Sequence, residues 1–529
     1  MGSVRAAHEA FVTGHSGTTP QDVVLAVSSA FPATLLVAAT VQGRLGWQWF
    51  LLECVLLVTP VALGFTILAS YTLHMLLATS LLALLLSWVA RSRVTAWNGH
   101  NKAGKASVES AGKRVGCVTC YRALLNLATT IAILAVDFHC FPRRFAKTEV
   151  RGYSVMDVGA AGYVIANALV EGRRQASYRA VLKDAVLLVC LAVVRLVMVW
   201  AADYQHHITE YGVHGNFFFT LAALKLTCSW WAWRLGTIGN LVLMLALCLG
   251  HHLLLTVGGV GAWTLGPAPR DSFLSANREW FVSMPSYAAL YFTGAGIGTY
   301  VCDRSKRATV PHFLWTVVVA SAVSLALLHF YVDPASRRLG NAAFVAFSIL
   351  YSTLTLAIFS LLDIWIPKLL PGVSSIPRIL QAINQRPLLN FLLSNLATGL
   401  INKSINTLTV SPPWDFCVVL GYTWSVIAVV YFLLKGDLRK GEVFVSVVWC
   451  WGIACCLCMV LCFPFKGDSL SFVMFVVRFN LFCCDSLSCS GVCMYPGVKA
   501  MNEACFLCYL TLINLPELRI VWVCATFQR

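Results

Sequence analysis

Charge is what this sequence has least of. Only 12% of its 529 residues are Asp, Glu, Lys or Arg, about half the ~25% of a soluble globular chain. Acids are the scarcer sign, 23 against 39 Lys and Arg, leaving a net charge of +16. In a chain this apolar, the surplus belongs to basic loops on one side of a membrane rather than to a nucleic-acid surface, so no nucleic-acid partner is expected. Also missing are G-x-S-x-G, a P-loop, H-E-x-x-H and a Gly-rich nucleotide fingerprint. Serine-triad hydrolases, ATP-driven pumps and metalloproteases therefore have no support. No internal repeat is visible, which argues against an inverted-repeat transporter. The first 22 residues hold no apolar segment, so no cleaved signal peptide is expected. Cysteine is abundant, but 12 of the 21 follow Gly441. Neither Cys117-x-x-Cys120 nor Cys505-x-x-Cys508 has a second His or Cys pair at ligand spacing, so no metal is expected.

What is present is hydrocarbon. The chain is 58% hydrophobic with a mean hydropathy of +0.74. Spanning a bilayer takes about 20 mostly apolar residues, and roughly thirteen such runs lie between Val23 and Leu434. The predicted fold is all-α, a polytopic transmembrane bundle of about thirteen spans. A polar segment (1–22) precedes the multi-span core (23–440), and a divergent, hydrophobic, Cys-rich extension (441–529) follows it. With an odd number of spans, one set of loops holds Arg91, Lys105, Arg114, Arg173, Arg304, Arg307, Lys368, Arg378, Arg386 and Lys440. The positive-inside rule makes that face cytosolic and the N-terminus lumenal.

One lumenal loop breaks the rule. "DFHCFPRRFAKTE", Asp137 to Glu149, follows an apolar run with no spacer. Its residues allow two readings: an interfacial helix with Phe141 and Phe145 in lipid, or a site for something anionic. Arg143 and Arg144 suit bidentate phosphate contacts. Asp137, at the end of its apolar run, is expected to be desolvated and so a better proton acceptor. Lys147 lies beyond the turn at Phe141-Pro142, placed to fold back toward Asp137. In "EYGVHGNFFFT", Glu210 and His214 are four apart and share a helix face. Asn395, Thr398, Asn402 and Asn406 recur at spacings of three and four, as interhelix glue or as the lining of a headgroup cavity. Arg195 and Lys225 lie at membrane depth, where a charge needs either an ion-pair partner or a substrate. Asn402-Lys403-Ser404 is a glycosylation sequon.

These two stretches, with "RRLGNAAFVAF" and "NFLLSNLATGLINKSINTL", resemble the inositol acyltransferases of glycosylphosphatidylinositol (GPI) anchor synthesis. The likeness runs from about residue 20 to about residue 435. It implies an endoplasmic-reticulum membrane enzyme that moves a fatty acyl group from acyl-CoA, a co-substrate rather than a bound cofactor, to an inositol hydroxyl of glucosaminyl-phosphatidylinositol. On this chain Asp137 and Lys147 are the catalytic candidates. Arg143, Arg144, Glu210, His214, Asn216, Asn395 and Asn402 are the candidates for substrate contact. The family usually has Trp where this chain has Gly215, which predicts a gap beside His214 that Gly215→Trp would fill. The competing class is a transporter or flippase for an anionic lipid or solute, which would also use Arg195, Lys225 and a polar stripe.

Overall fold

The computed structural model describes residues 10–41, 46–98, 115–171, 177–201 and 208–434. The extension 441–529, the first nine residues and several basic loop positions (Lys105, Arg114, Arg173 and Lys440 among them) lie outside the described residues. Fourteen helices of seven or more residues organise the rest. They are α1 (Pro20–Val41), α2 (Trp47–Phe65), α3 (Thr72–Asn98), α4 (Gly116–Ala135), α5 (Val155–Glu171), α6 (Tyr178–Ala201) and α7 (Phe217–Ala232). After them come α8 (Gly236–Thr256), α9 (Arg278–Val301), α10 (Val310–Tyr331), α11 (Ala342–Leu369), α12 (Arg378–Gln385), α13 (Pro387–Ser404) and α14 (Trp414–Leu434).

Among the described residues all thirteen apolar runs are helical, but eight helices have both the length and the hydropathy to cross a membrane. The five that fall short are α5, α6, α7, α9 and α13. They are also the helices that carry Asp157, Arg195, Lys225, Glu279 and the asparagines of "NFLLSNLATGLINKS". Two of them, α5 and α7, are shorter than 18 residues, and Asp157, Glu279, Asn390, Ser394 and Thr398 on these helices are buried in protein.

Small residues let the helices close on one another. Gly294 and Gly298 of α9, one turn apart, lie against the backbone of α5, and a Cβ on Gly294 would sit 2.7 Å from the Ile165 carbonyl oxygen. The N-terminus of α4 meets the carboxylate of Asp363 from α11 where a side chain on Gly116 would lie. That helix is thereby fixed from below, and its upper end presents the 137–149 loop.

Alternate connections meet at one end of the bundle, tied by backbone and side chain. The Thr18 N–H donates to the Tyr153 carbonyl (2.7 Å), Glu149 N–H to His15 (2.9 Å) and Gly152 N–H to Ala335 (2.8 Å). Arg144 reaches the Ala69 carbonyl (3.0 Å), His139 Nε2 the Leu408 carbonyl (3.1 Å), and Val213 N–H the Ala276 carbonyl (3.0 Å). Seven segments, 15–18, 66–71, 136–154, 208–216, 257–277, 332–341 and 405–413, therefore form one polar cap. The alternation expected from loop charge puts these segments on one side. A cysteine placed at the exposed Asn406 should react with an impermeant maleimide only from the lumenal side, and one at the exposed Ser305 only from the cytosol. Labelling in the opposite pattern would invert the orientation.

Candidate active site at the polar end of the bundle

Asp137 stands two residues beyond the end of α4, where the helix tightens: Asp137 N–H donates to Leu134 and Phe138 N–H to Ala135. Phe138, Phe141 and Phe145 are all at most 1% exposed. That burial overturns the lipid-dipping helix, because the three rings pin the loop into the protein and Arg143–Phe145 is a single 3₁₀ turn. Arg143 completes the pinning. Its guanidinium donates to the carbonyls of Val136 (2.8 Å), Phe138 (3.0 Å) and Phe141 (2.7 Å), all in the turns that follow α4. It also stacks 4.0 Å above the Phe11 ring. Burial lowers the Arg143 pKa to about 10, with Asp137 pulling it the other way. The expected phosphate fork of Arg143 is thus committed to the loop's own backbone. Arg144 spends one arm on Ala69 and lies over the Phe145 ring.

The carboxylate of Asp137 is 9% exposed and accepts a 2.7 Å hydrogen bond from Asn402 Nδ2. This bond uses the Asn402 amide nitrogen on which a sequon glycan would be built. Asn402 belongs to a row on α13 whose phase differs from the expected one. Asn390 and Ser394 meet Thr130, Thr398 donates to the Tyr422 hydroxyl, and Asn402 meets Asp137. The inward positions are 390, 394, 398 and 402. Asn395 is exposed and returns its amide to Phe391 of its own helix, and Asn406 lies past the helix end.

Lys147 does not fold back onto Asp137. Its ammonium forms an ion pair with Glu210, whose other oxygen lies 3.8 Å from Arg337. Arg337 is 8% exposed and pairs at 2.8 Å with Asp157, itself 1% exposed, and the Thr148 N–H and hydroxyl complete the coordination of Asp157. Burial works against the charge on Arg337, but Glu210 and Asp157 outweigh it and hold the guanidinium pKa above its ordinary value. Sequence reasoning missed Arg337, Asp157 and Thr148. "RRLGN" shows two arginines and a turn, and nothing within ten residues marks the distant carboxylates as partners.

His214 is exposed on the same cap and is held from one side. Asn277 Oδ1 accepts the backbone N–H groups of His214 (2.7 Å) and Gly215 (3.2 Å), and its Nδ2 lies 3.2 Å from His214 Nδ1. The expected gap at Gly215 is absent. Gly215 is buried and a Cβ there would run into the Tyr211 backbone carbonyl. Gly215→Trp is therefore expected to destabilise the turn and lower activity rather than fill a space, and Gly215→Ala to do so more mildly, as thermal melting of the two variants would show. Asn216 is the N-cap of α7, accepting from Phe218 and Phe219 N–H and donating to the Ala192 carbonyl. Those bonds occupy its amide in structure.

The two membrane-depth cations divide. Lys225 pairs with Glu171 (2.5 Å) and Asp184 (2.9 Å), so its charge is answered within the bundle. Arg195 is exposed and makes no ion pair among the described residues. A further buried group, Glu279 at 0% exposure, is met by Arg270, Arg338 and Arg278 beneath the 257–277 connection. Among the described residues no three His, Cys, Asp or Glu side chains converge as metal ligands.

A polytopic helical membrane protein with its charged groups gathered at one capped end is the class that these features define. The chain belongs to the GWT1 family, whose profile matches residues 4–433, nearly all of the described structure and none of the Cys-rich extension. It is 32% identical over 435 residues to GPI-anchored wall transfer protein 1 of Kluyveromyces lactis, covering 78% of this chain and 92% of that protein. It is 30% identical over 494 residues to glucosaminyl-phosphatidylinositol-acyltransferase PIGW of Bos taurus, covering 81% and 97%. The same yeast protein name is carried by a Schizosaccharomyces pombe relative, 32% identical over 349 residues, or 63% of this chain and 76% of that one.

Proposed function

We propose that this protein is a membrane acyltransferase that esterifies an inositol hydroxyl of glucosaminyl-phosphatidylinositol, with acyl-CoA as donor, at the lumenal face of the endoplasmic reticulum. The observation that carries this reading is the Asp137 carboxylate, nearly buried at the capped end of α4 and oriented by Asn402. A fixed carboxylate at hydrogen-bonding range of an incoming hydroxyl is what general-base catalysis needs. The hydroxyl oxygen bonds to the thioester carbon as its proton passes to Asp137. The carbonyl oxygen becomes anionic, and on collapse the C–S bond breaks and coenzyme A leaves as a thiolate that takes up a proton. Lys147, 39% exposed at its side chain and paired on one side only, has donors left for that oxyanion or for a phosphate. The names of the relatives support the lipid substrate, and the family supports the reaction class. Neutralisation of Lys225 by Glu171 and Asp184 leaves the transporter reading with one fewer charge to use.

Purified full-length protein given labelled acyl-CoA and glucosaminyl-phosphatidylinositol should form acylated lipid, and failure to do so in a folded preparation would overturn the proposal. Lys147→Ala should lower turnover on the order of 10²–10³-fold. Because the Lys147–Glu210 pair is partly exposed, its loss should cost stability no more than about 1 kcal/mol.

A further inference from the structure

We infer that Arg195 and His214 form a lateral binding site for a lipid phosphodiester, with Asn277 as the residue that positions His214. Arg195 sits about three-quarters of the way along α6, with Val193, Val194 and Val197 exposed around it. A charge on such a face is costly without a partner, and no described carboxylate pairs with it. The helix face is fixed by Asn216, whose amide donates to the Ala192 carbonyl one turn below Arg195. Above that contact lies the 211–216 turn, and Arg195 is close enough to the Tyr211 phenol to act on it electrostatically. The same turn carries His214.

The chemistry of His214 is set by its neighbour. Asn277 Oδ1 accepts two backbone N–H groups, so the amide cannot be turned around and Nδ2 must face the imidazole. Nδ2 is a donor, so Nδ1 of the neutral ring is the acceptor and the proton resides on Nε2. His214 therefore offers its outward edge as an N–H donor, the wrong polarity for a base and the right one for an anionic oxygen. Phe273, 64% exposed, stacks against the ring with centroids 5.9 Å apart and adds an apolar shoulder. A guanidinium, an N–H donor and exposed apolar side chains at the rim match a phosphodiester carried on acyl chains, arriving from the bilayer. The inference rests on the acyltransferase reading for the identity of that lipid.

Equilibrium binding of labelled glucosaminyl-phosphatidylinositol to full-length protein in detergent tests it without turnover. Arg195→Gln is expected to weaken binding about tenfold or more, and Arg195→Lys to recover part of the loss. His214→Ala should weaken binding several-fold, whereas His214→Gln, which keeps an N–H donor, should retain most of it. Histidine-selective nitrogen NMR should show the Nε2–H tautomer at His214 in the parent and a changed protonation pattern in Asn277→Asp. Unchanged binding in both Arg195→Gln and His214→Ala would overturn the site, as would an Nδ1–H tautomer in the parent. Competition by millimolar inorganic phosphate as strong as that by the lipid would assign the site to free phosphate and also overturn a lipid site. If the parent binds the lipid but never acylates it, the acyltransferase reading fails while the site stands.

Discussion

Asp137→Asn is expected to abolish acyl transfer, by about 10²–10⁴-fold, while the protein is recovered folded. Asparagine keeps the size of the side chain, and its carbonyl oxygen can still accept from Asn402 Nδ2, the bond that orients the carboxylate at 2.7 Å. What it removes is the capacity to take a proton and the negative charge beside Arg143. Arg143 keeps its three backbone carbonyls in the variant, so the loop retains its clamp. Single-turnover measurement with labelled acyl-CoA separates the chemical step from substrate binding. Near-normal turnover would move the base elsewhere. The imidazole of His214 is an unsuitable replacement, since its free edge is a donor.

The largest loss of stability is expected from Arg337→Leu. Removing one partner of a buried ion pair costs about 3–5 kcal/mol, because the other charge stays buried without compensation. Here Asp157 keeps the hydrogen bonds of Thr148 and Ser154 but loses its paired guanidinium, and Glu210 keeps the Lys147 ammonium. Against a total stability of about 5–15 kcal/mol, that loss should lower the melting temperature strongly or prevent recovery altogether. Arg337→Leu combined with Asp157→Leu should melt closer to the parent than Arg337→Leu alone, since replacing both members removes the uncompensated charge. A single variant that melts like the parent would show that the cap is held by its backbone bonds instead.

Helix positions were legible because hydropathy reports them directly: each apolar run from Val23 to Leu434 folded as a helix. The clustering of alternate loops was legible too, in the basic residues of the opposite set. Two kinds of information were not local. The phase of the α13 stripe is ambiguous at spacings of three and four, and only the packing of Thr130, Tyr422 and Asp137 against it selects 390, 394, 398 and 402 over 395 and 406. Ion partners are equally hidden. Lys147 pointed toward Asp137 by sequence proximity, yet it pairs with Glu210, 63 positions along the chain. The role of Asn277 had no signal at all, since an asparagine ahead of a helix normally reads as a cap.

The Arg337–Asp157 pair also sets an order of events during biosynthesis. Asp157 enters the membrane with α5, but its guanidinium lies 180 positions downstream, beyond five more helices. At roughly 5–20 residues per second, the acid waits on the order of 10–40 s after its own synthesis before Arg337 leaves the ribosome. Through that interval α5 is a helix with an uncompensated carboxylate in its first turn, supported by Thr148 and Ser154 alone. The nascent chain is therefore most vulnerable between the emergence of α5 and that of α11. A chain truncated before residue 337 should be cleared by membrane quality control far faster than one truncated just after α11.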